Sequence, residues 1–164
     1  MFPDMDQVQG VLNLPGAWHF FLSHTQRDAA AKLLASEIWA ELKEMNHGSW
    51  LDVKMPARDE AAMKAGVEDC QCFVAIVTDN GHDSYFSRAM CRQELRWALE
   101  NGKTIVPVVA SEDKHRVSEF IAEAGKHSEC VGVFEKLNFC TYDRSGPRQV
   151  RASLEDIIEQ AELK

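Results

Sequence analysis

Five short apolar runs alternate along this chain with segments of helical period, and that alternation limits the folds open to it. The runs are Trp18–Ser23, Ser49–Val53, Cys72–Thr78, Thr104–Val109 and Leu137–Tyr142. Each reads as a strand, and Thr104–Val109 has almost no polar interruption, the pattern of a sheet covered on both faces. Between them lie amphipathic segments. The first, with Asp28 placed as its N-cap, carries Leu34, Ile38, Leu42 and Met45 on one stripe and stops at Asn46-His47-Gly48. A weaker one opens at Asp59 with Ala62, Met63, Gly66 and Val67 inward. Ser87 is placed to cap the third. Val117, Phe120, Ile121 and Ala124 mark a short fourth, residues 125–136 read mostly as loop, and Val150, Leu154, Ile157, Ile158 and Ala161 mark a closing helix. Strands alternating with helices predict an α/β fold, a parallel sheet with helices on both faces. Five strands predict the flavodoxin-like order 2-1-3-4-5, whose ligands bind beyond the carboxyl ends of the strands, at the switch point between strands 1 and 3.

The third helix carries the chemistry. At 3.6 residues per turn, Met90, Cys91, Leu95, Trp97, Ala98 and Leu99 form an apolar arc, and Arg92, Gln93, Arg96 and Glu100 form the solvated face. Glu94 falls inside the arc, between Met90 and Ala98. An acid at a core boundary often packs its stem and sends its head to water. One that stays inside must be held by partners, line a cavity, or have its proton affinity raised. Asn101-Gly102 stops the helix. The topology brings Glu94 towards the loop Ser23–Asp28, which leaves strand 1 at the switch point.

Charge and cysteine usage narrow the partners. A length of 164 residues suits one domain with a real core. The net charge of −8 argues against a general nucleic-acid or anionic-membrane surface, and leaves room for a small anion held by a few local cations. The five cysteines are an odd count without zinc-ligand spacing, so no metal site is expected, and the pattern points to a reducing, cytoplasmic compartment. No run approaches a membrane span. Residues 1–16 lack a secretory pattern and read as a weakly ordered lead-in.

Several owners of this fold fail on the residues. The loop after strand 1 has no glycine for a flavodoxin phosphate loop, and neither G-x-G-x-x-G nor a Walker loop occurs. Asp79 ends strand 3 where a receiver's phosphoacceptor would sit, but strand 1 ends in Ser and His rather than an acidic pair. Five segments, in order, resemble the TIR (Toll/interleukin-1 receptor homology) domain: FFLSHTQRD at 20–28, WLDVKMP at 50–56, FVAIVTDN at 73–80, CRQEL at 91–95 and ALENGKTIVPVV at 98–109. The resemblance covers residues 17–163 and implies one TIR domain over 17–164.

That resemblance implies one of two functions. Some members are non-catalytic adaptors that act in signalling through TIR–TIR contacts. Others cleave NAD+ at the nicotinamide–ribose bond and carry a glutamate in the helix after strand 3, often as C-x-x-E-L, which Cys91–Leu95 matches. Met90 stands where a second form of the motif has Trp. The resemblance therefore implies an NAD+ nucleosidase, activated by self-association, with Glu94 catalytic and NAD+ as substrate rather than cofactor. Ser23, His24 and Thr25 would donate to phosphate or ribose, Arg27 would face the pyrophosphate, Asp52 would touch a ribose, and Met90 would meet the nicotinamide end. The loop Lys54–Arg58 corresponds to the family's assembly surface.

Overall fold

The computed structural model describes residues 18–55, 59–79 and 84–163. In chain order they form β1 (Trp18–Ser23), α1 (Ala29–Glu44), β2 (Ser49–Trp50), α2 (Glu60–Asp69), β3 (Cys70–Ile76), α3 (Ala89–Glu100), β4 (Thr104–Ala110), α4 (Val117–Ala124), β5 (Cys140–Tyr142) and α5 (Pro147–Ala161). Short 3-10 turns at Asp52–Lys54, Ser111–Arg116 and Phe134–Lys136 complete the order. The five strands are all parallel, in the order β2-β1-β3-β4-β5. The expected α/β architecture holds. The lead-in 1–16 lies outside the described residues, as does the 56–58 part of the expected assembly loop.

The sheet faces divide the core in two. Phe20, Leu22, Val74, Ile76, Val106 and Val108 pack beneath α1 and α5, against Leu34, Ile38, Leu42, Leu154 and Ile157. Phe21, Phe73, Ala75, Ile105 and Val109 pack on the other side, with α2, α3 and α4. Successive side chains of a strand point to opposite faces, so strands buried on both sides read as unbroken apolar runs. Pro107 sits inside β4 without cost. Val108 C=O accepts from Val77 N on the β3 side, so the Pro107 nitrogen faces β5, and β5 pairs with β4 only from Val108 onward.

Local chemistry sets most element ends. Asp28 caps α1 by accepting from Ala30 N at 3.1 Å, and Asp59 caps α2 by accepting from Ala62 N at 2.8 Å. Gly102, at φ +63°, closes α3, with Lys103 N donating to Ala98 C=O at 2.9 Å.

Four expectations need correction. Strand 2 is Ser49–Trp50, because the chain turns into the 3-10 segment at Asp52. Strand 3 begins at Cys70 and ends at Ile76, directly after α2, so it starts and stops earlier than the apolar run suggests. Strand 5 pairs only over Cys140–Tyr142, since β4 offers partners only from Val108 to Ala110. Ser87 does not cap α3. Its hydroxyl donates to Ser84 C=O at 2.8 Å, and Arg88 holds the N-cap position without a side-chain bond.

The edge strand is seated by aromatic stacking. Trp50 lies 4.6 Å from Phe21 and nearly parallel to it, and Phe21 lies 5.5 Å from Phe73. Gly66 of α2 lets Trp50 sit there: a Cβ on Gly66 would come within 2.9 Å of the indole. Gly66→Ala is expected to push Trp50 off the stack and destabilise the protein by about 1–3 kcal/mol. Thermal melts should show a midpoint lower by roughly 5 °C.

Candidate functional site

The carboxyl ends of β1 and β2 meet the first turns of α3 around a cleft of about 440 Å³. Its walls come from His24 and Gln26 after β1, Lys32 in α1, Asp52 after β2, Met63 in α2, and Arg88, Met90, Cys91 and Glu94 in and before α3. β1 lies between β2 and β3 in the sheet, so its end and the two neighbouring crossovers converge at the switch point.

Glu94 is only 5 % exposed. Its Oε1 accepts from Ser23 Oγ at 2.6 Å, and Ser23 Oγ lies 2.7 Å from the Tyr85 hydroxyl. A serine has one proton to give. Ser23 gives it to Glu94, so Tyr85 must donate to Ser23, and the chain runs Tyr85 to Ser23 to Glu94. The Tyr85 hydroxyl is fully buried and its pKa is pushed well up, chiefly by burial, so it keeps that proton.

Three forces act on the Glu94 carboxyl. Burial raises its pKa, the Ser23 bond lowers it, and repulsion from Asp52 raises it again, leaving it at about 8. Asp52 is itself buried, and its Oδ1 has no hydrogen-bond partner among the described residues. The nearest cationic candidate is His24 Nε2 at 3.9 Å. Burial pushes His24 below its ordinary pKa despite the attraction of Asp52, so the imidazole is neutral at neutral pH. The cleft thus sets the buried Glu94 and Asp52 carboxyls beside the cations Lys32 and Arg88. A ligand carrying a cationic centre and anionic groups fits such a distribution.

Of the residues singled out in the sequence, the structure brings His24, Asp52, Met90 and Glu94 together in the cleft. Ser23 stands behind Glu94 and holds it. Thr25 is buried with Oγ1 unpartnered among the described residues and lies outside the cleft wall. Arg27 is exposed and also lies outside it; Lys32 and Arg88 are the cations that line the cleft. No local pattern in the sequence marks Tyr85; only its closeness to Ser23 reveals its part. Leu99, expected in the apolar arc, is 41 % exposed, about 140° round the helix from Glu94. Asp79 is drawn to Arg116 and lines different clefts from Glu94. Among the described residues, no three His, Cys, Asp or Glu side chains group to hold a metal ion.

The family described as "TIR domain" matches residues 20–141. No curated protein matches the chain. Among solved structures, the TIR domains of the activated Roq1 resistosome directly recognising the pathogen effector XopQ match with a TM-score of 0.59 and 16% sequence identity. The match covers 87% of this chain and 98% of that one, and at that identity it speaks to the fold.

The Glu94 environment sets two expectations. Its folded-state pKa of about 8 lies above the ordinary 4.5, so the stability it contributes is complete below pH 4.5 and is lost as pH rises through 8. Glu94→Gln cannot ionise, so thermal melts should show it losing less stability than the parent between about pH 5 and pH 9. Carboxyl carbon NMR should show Ser23→Ala moving the Glu94 titration upward and Asp52→Asn moving it downward, since the first removes a bond to the carboxylate and the second a repulsion.

Proposed function

The chain belongs to the TIR-domain family, and on that premise we propose that it is an NAD+ nucleosidase with Glu94 as its catalytic carboxylate. The observation that carries this reading is a carboxyl buried at the switch-point cleft, held by Ser23 and facing a wall that also holds Asp52, Lys32 and Arg88.

The reaction breaks the bond between the nicotinamide nitrogen and ribose C1′. The electron pair leaves with nicotinamide, which departs neutral and needs no acid. The positive charge passes to the ribose as an oxocarbenium ion. The Glu94 carboxylate stabilises that charge, and in a cleft of low effective dielectric the contact supplies several kcal/mol. Water then adds to C1′, passes its proton to Glu94 and gives ADP-ribose; attack by the adenine in place of water gives a cyclic product. Asp52 Oδ1, unpartnered among the described residues, accepts from a ribose hydroxyl. Lys32, Arg88 and the first turn of α3, which has no side-chain cap, face the pyrophosphate. His24 donates to ribose or phosphate, and Met63, Met90 and Cys91 give the nicotinamide an apolar wall.

A carboxyl that titrates at about 8 must lose its proton to do this work. The cationic nicotinamide ring favours that loss as it enters. Self-association through the region that begins at Lys54 completes the reading, with cytoplasmic placement, where the five free, buried thiols remain unpaired.

Free nicotinamide released from NAD+ tests the proposal. Release should rise more steeply than linearly with protein concentration, and Glu94→Ala should lose about 10²–10³-fold in rate. The value of kcat/KM should rise with pH and level off above about 8, because the free protein's Glu94 is protonated below it. Equal release from parent and variant would end the role given to Glu94. No release from either would leave a non-catalytic TIR scaffold acting through TIR–TIR contacts.

A further inference from the structure

At the amino end of the sheet, away from Glu94, two imidazoles face each other. His19 is the second residue of β1, and His47 lies in the turn between α1 and β2. Their Nδ1 atoms are 3.4 Å apart, and the ring centroids are 4.8 Å apart at an interplanar angle of 68°. Main-chain bonds hold both in place. His19 N and Phe20 N both donate to Gly48 C=O, at 3.0 and 3.2 Å, and His47 N donates to Leu42 C=O at 2.8 Å. Asn46, at φ 65°, sets the turn that carries His47. These bonds fix the main chain that carries the two rings.

The separation is informative. A hydrogen bond from N–H to nitrogen is ordinarily nearer 3 Å, so 3.4 Å makes a poor one. Two nitrogens each about 2.0–2.1 Å from a tetrahedral metal lie about 3.3–3.4 Å apart. We infer that His19 and His47 form a two-imidazole site for a zinc-class divalent ion, with water filling the remaining positions. Both rings are half-buried, so solvent reaches them. A neutral imidazole leaves one ring nitrogen unprotonated, and a metal here takes the tautomer in which that nitrogen is Nδ1. The chain's net charge of −8 favours a cation further. No third protein ligand is grouped with them among the described residues, so water completes the shell and the site is open rather than a closed structural one. The bound ion would clip β1 to the turn that delivers the edge strand β2.

Calorimetric titration of tag-free protein with zinc chloride is the test. One saturable equivalent is expected, weakened at least about tenfold in His19→Gln and in His47→Gln and unchanged in His115→Gln, whose ring is exposed elsewhere. Metal-free melts of the variants verify that each folds. In the parent, zinc at about 100 times its dissociation constant should raise the melting midpoint by roughly 5 °C. Cobalt should give the visible absorption of a tetrahedral nitrogen-bound ion. Zinc binding that survives either substitution, or no saturable binding to the parent, overturns the site.

Discussion

A carboxyl cut off from water needs a donor, and Ser23 is the donor that Glu94 receives. That one hydrogen bond ties the end of β1 to the second turn of α3, and Tyr85 behind it ties in the loop after β3. Three segments distant in sequence are thereby brought to one point. A buried acid left without its partner would carry the desolvation penalty alone. The geometry of the switch point is accordingly as constrained as the apolar core beneath it, although it is polar.

The electrostatics around this bond run against ordinary pairing. Two buried acids, Glu94 and Asp52, repel each other, and the imidazole nearest to Asp52 is held neutral by burial. That arrangement leaves the Glu94 carboxylate with burial and repulsion that the Ser23 bond only partly offsets. Its repulsion falls when a cationic centre enters, because both carboxylates then gain a counter-charge. A charge that appears only as a bond breaks would draw on the same preorganised field, with no solvent to rearrange. The stability surrendered at the cleft and the chemistry proposed for it have the same physical source.

The rest of the fold supplies rigidity to that end of the sheet. The stack of Trp50, Phe21 and Phe73 fixes a two-residue edge strand that backbone pairing alone would hold weakly, and it does so just before Asp52. Gly66 makes the stack possible by having no side chain. At the opposite end, Gly48 C=O braces the same two strands by accepting from His19 N and Phe20 N. Short edge strands depend on such side-chain seating because few ladder bonds are available to them.

The sequence by itself determined the architecture. Apolar runs of strand length alternating with helical-period segments leave a parallel sheet as the way to bury every apolar face, and the caps Asp28, Asp59 and Gly102 follow from local chemistry alone. The inward placement of Glu94 was also legible, because helical period decides which face a residue occupies. Strand ends were less so: Ser49–Val53 and Leu137–Tyr142 look like longer strands, but pairing length depends on the neighbouring strand. Only the tertiary structure decided what Glu94 meets. Tyr85 behind Ser23, Asp52 alongside, and Lys32 and Arg88 in place of Arg27 all depend on how separate crossovers converge. Periodicity records the face a side chain takes. The environment that shifts its proton affinity is made by residues from elsewhere in the chain, and only packing brings them together.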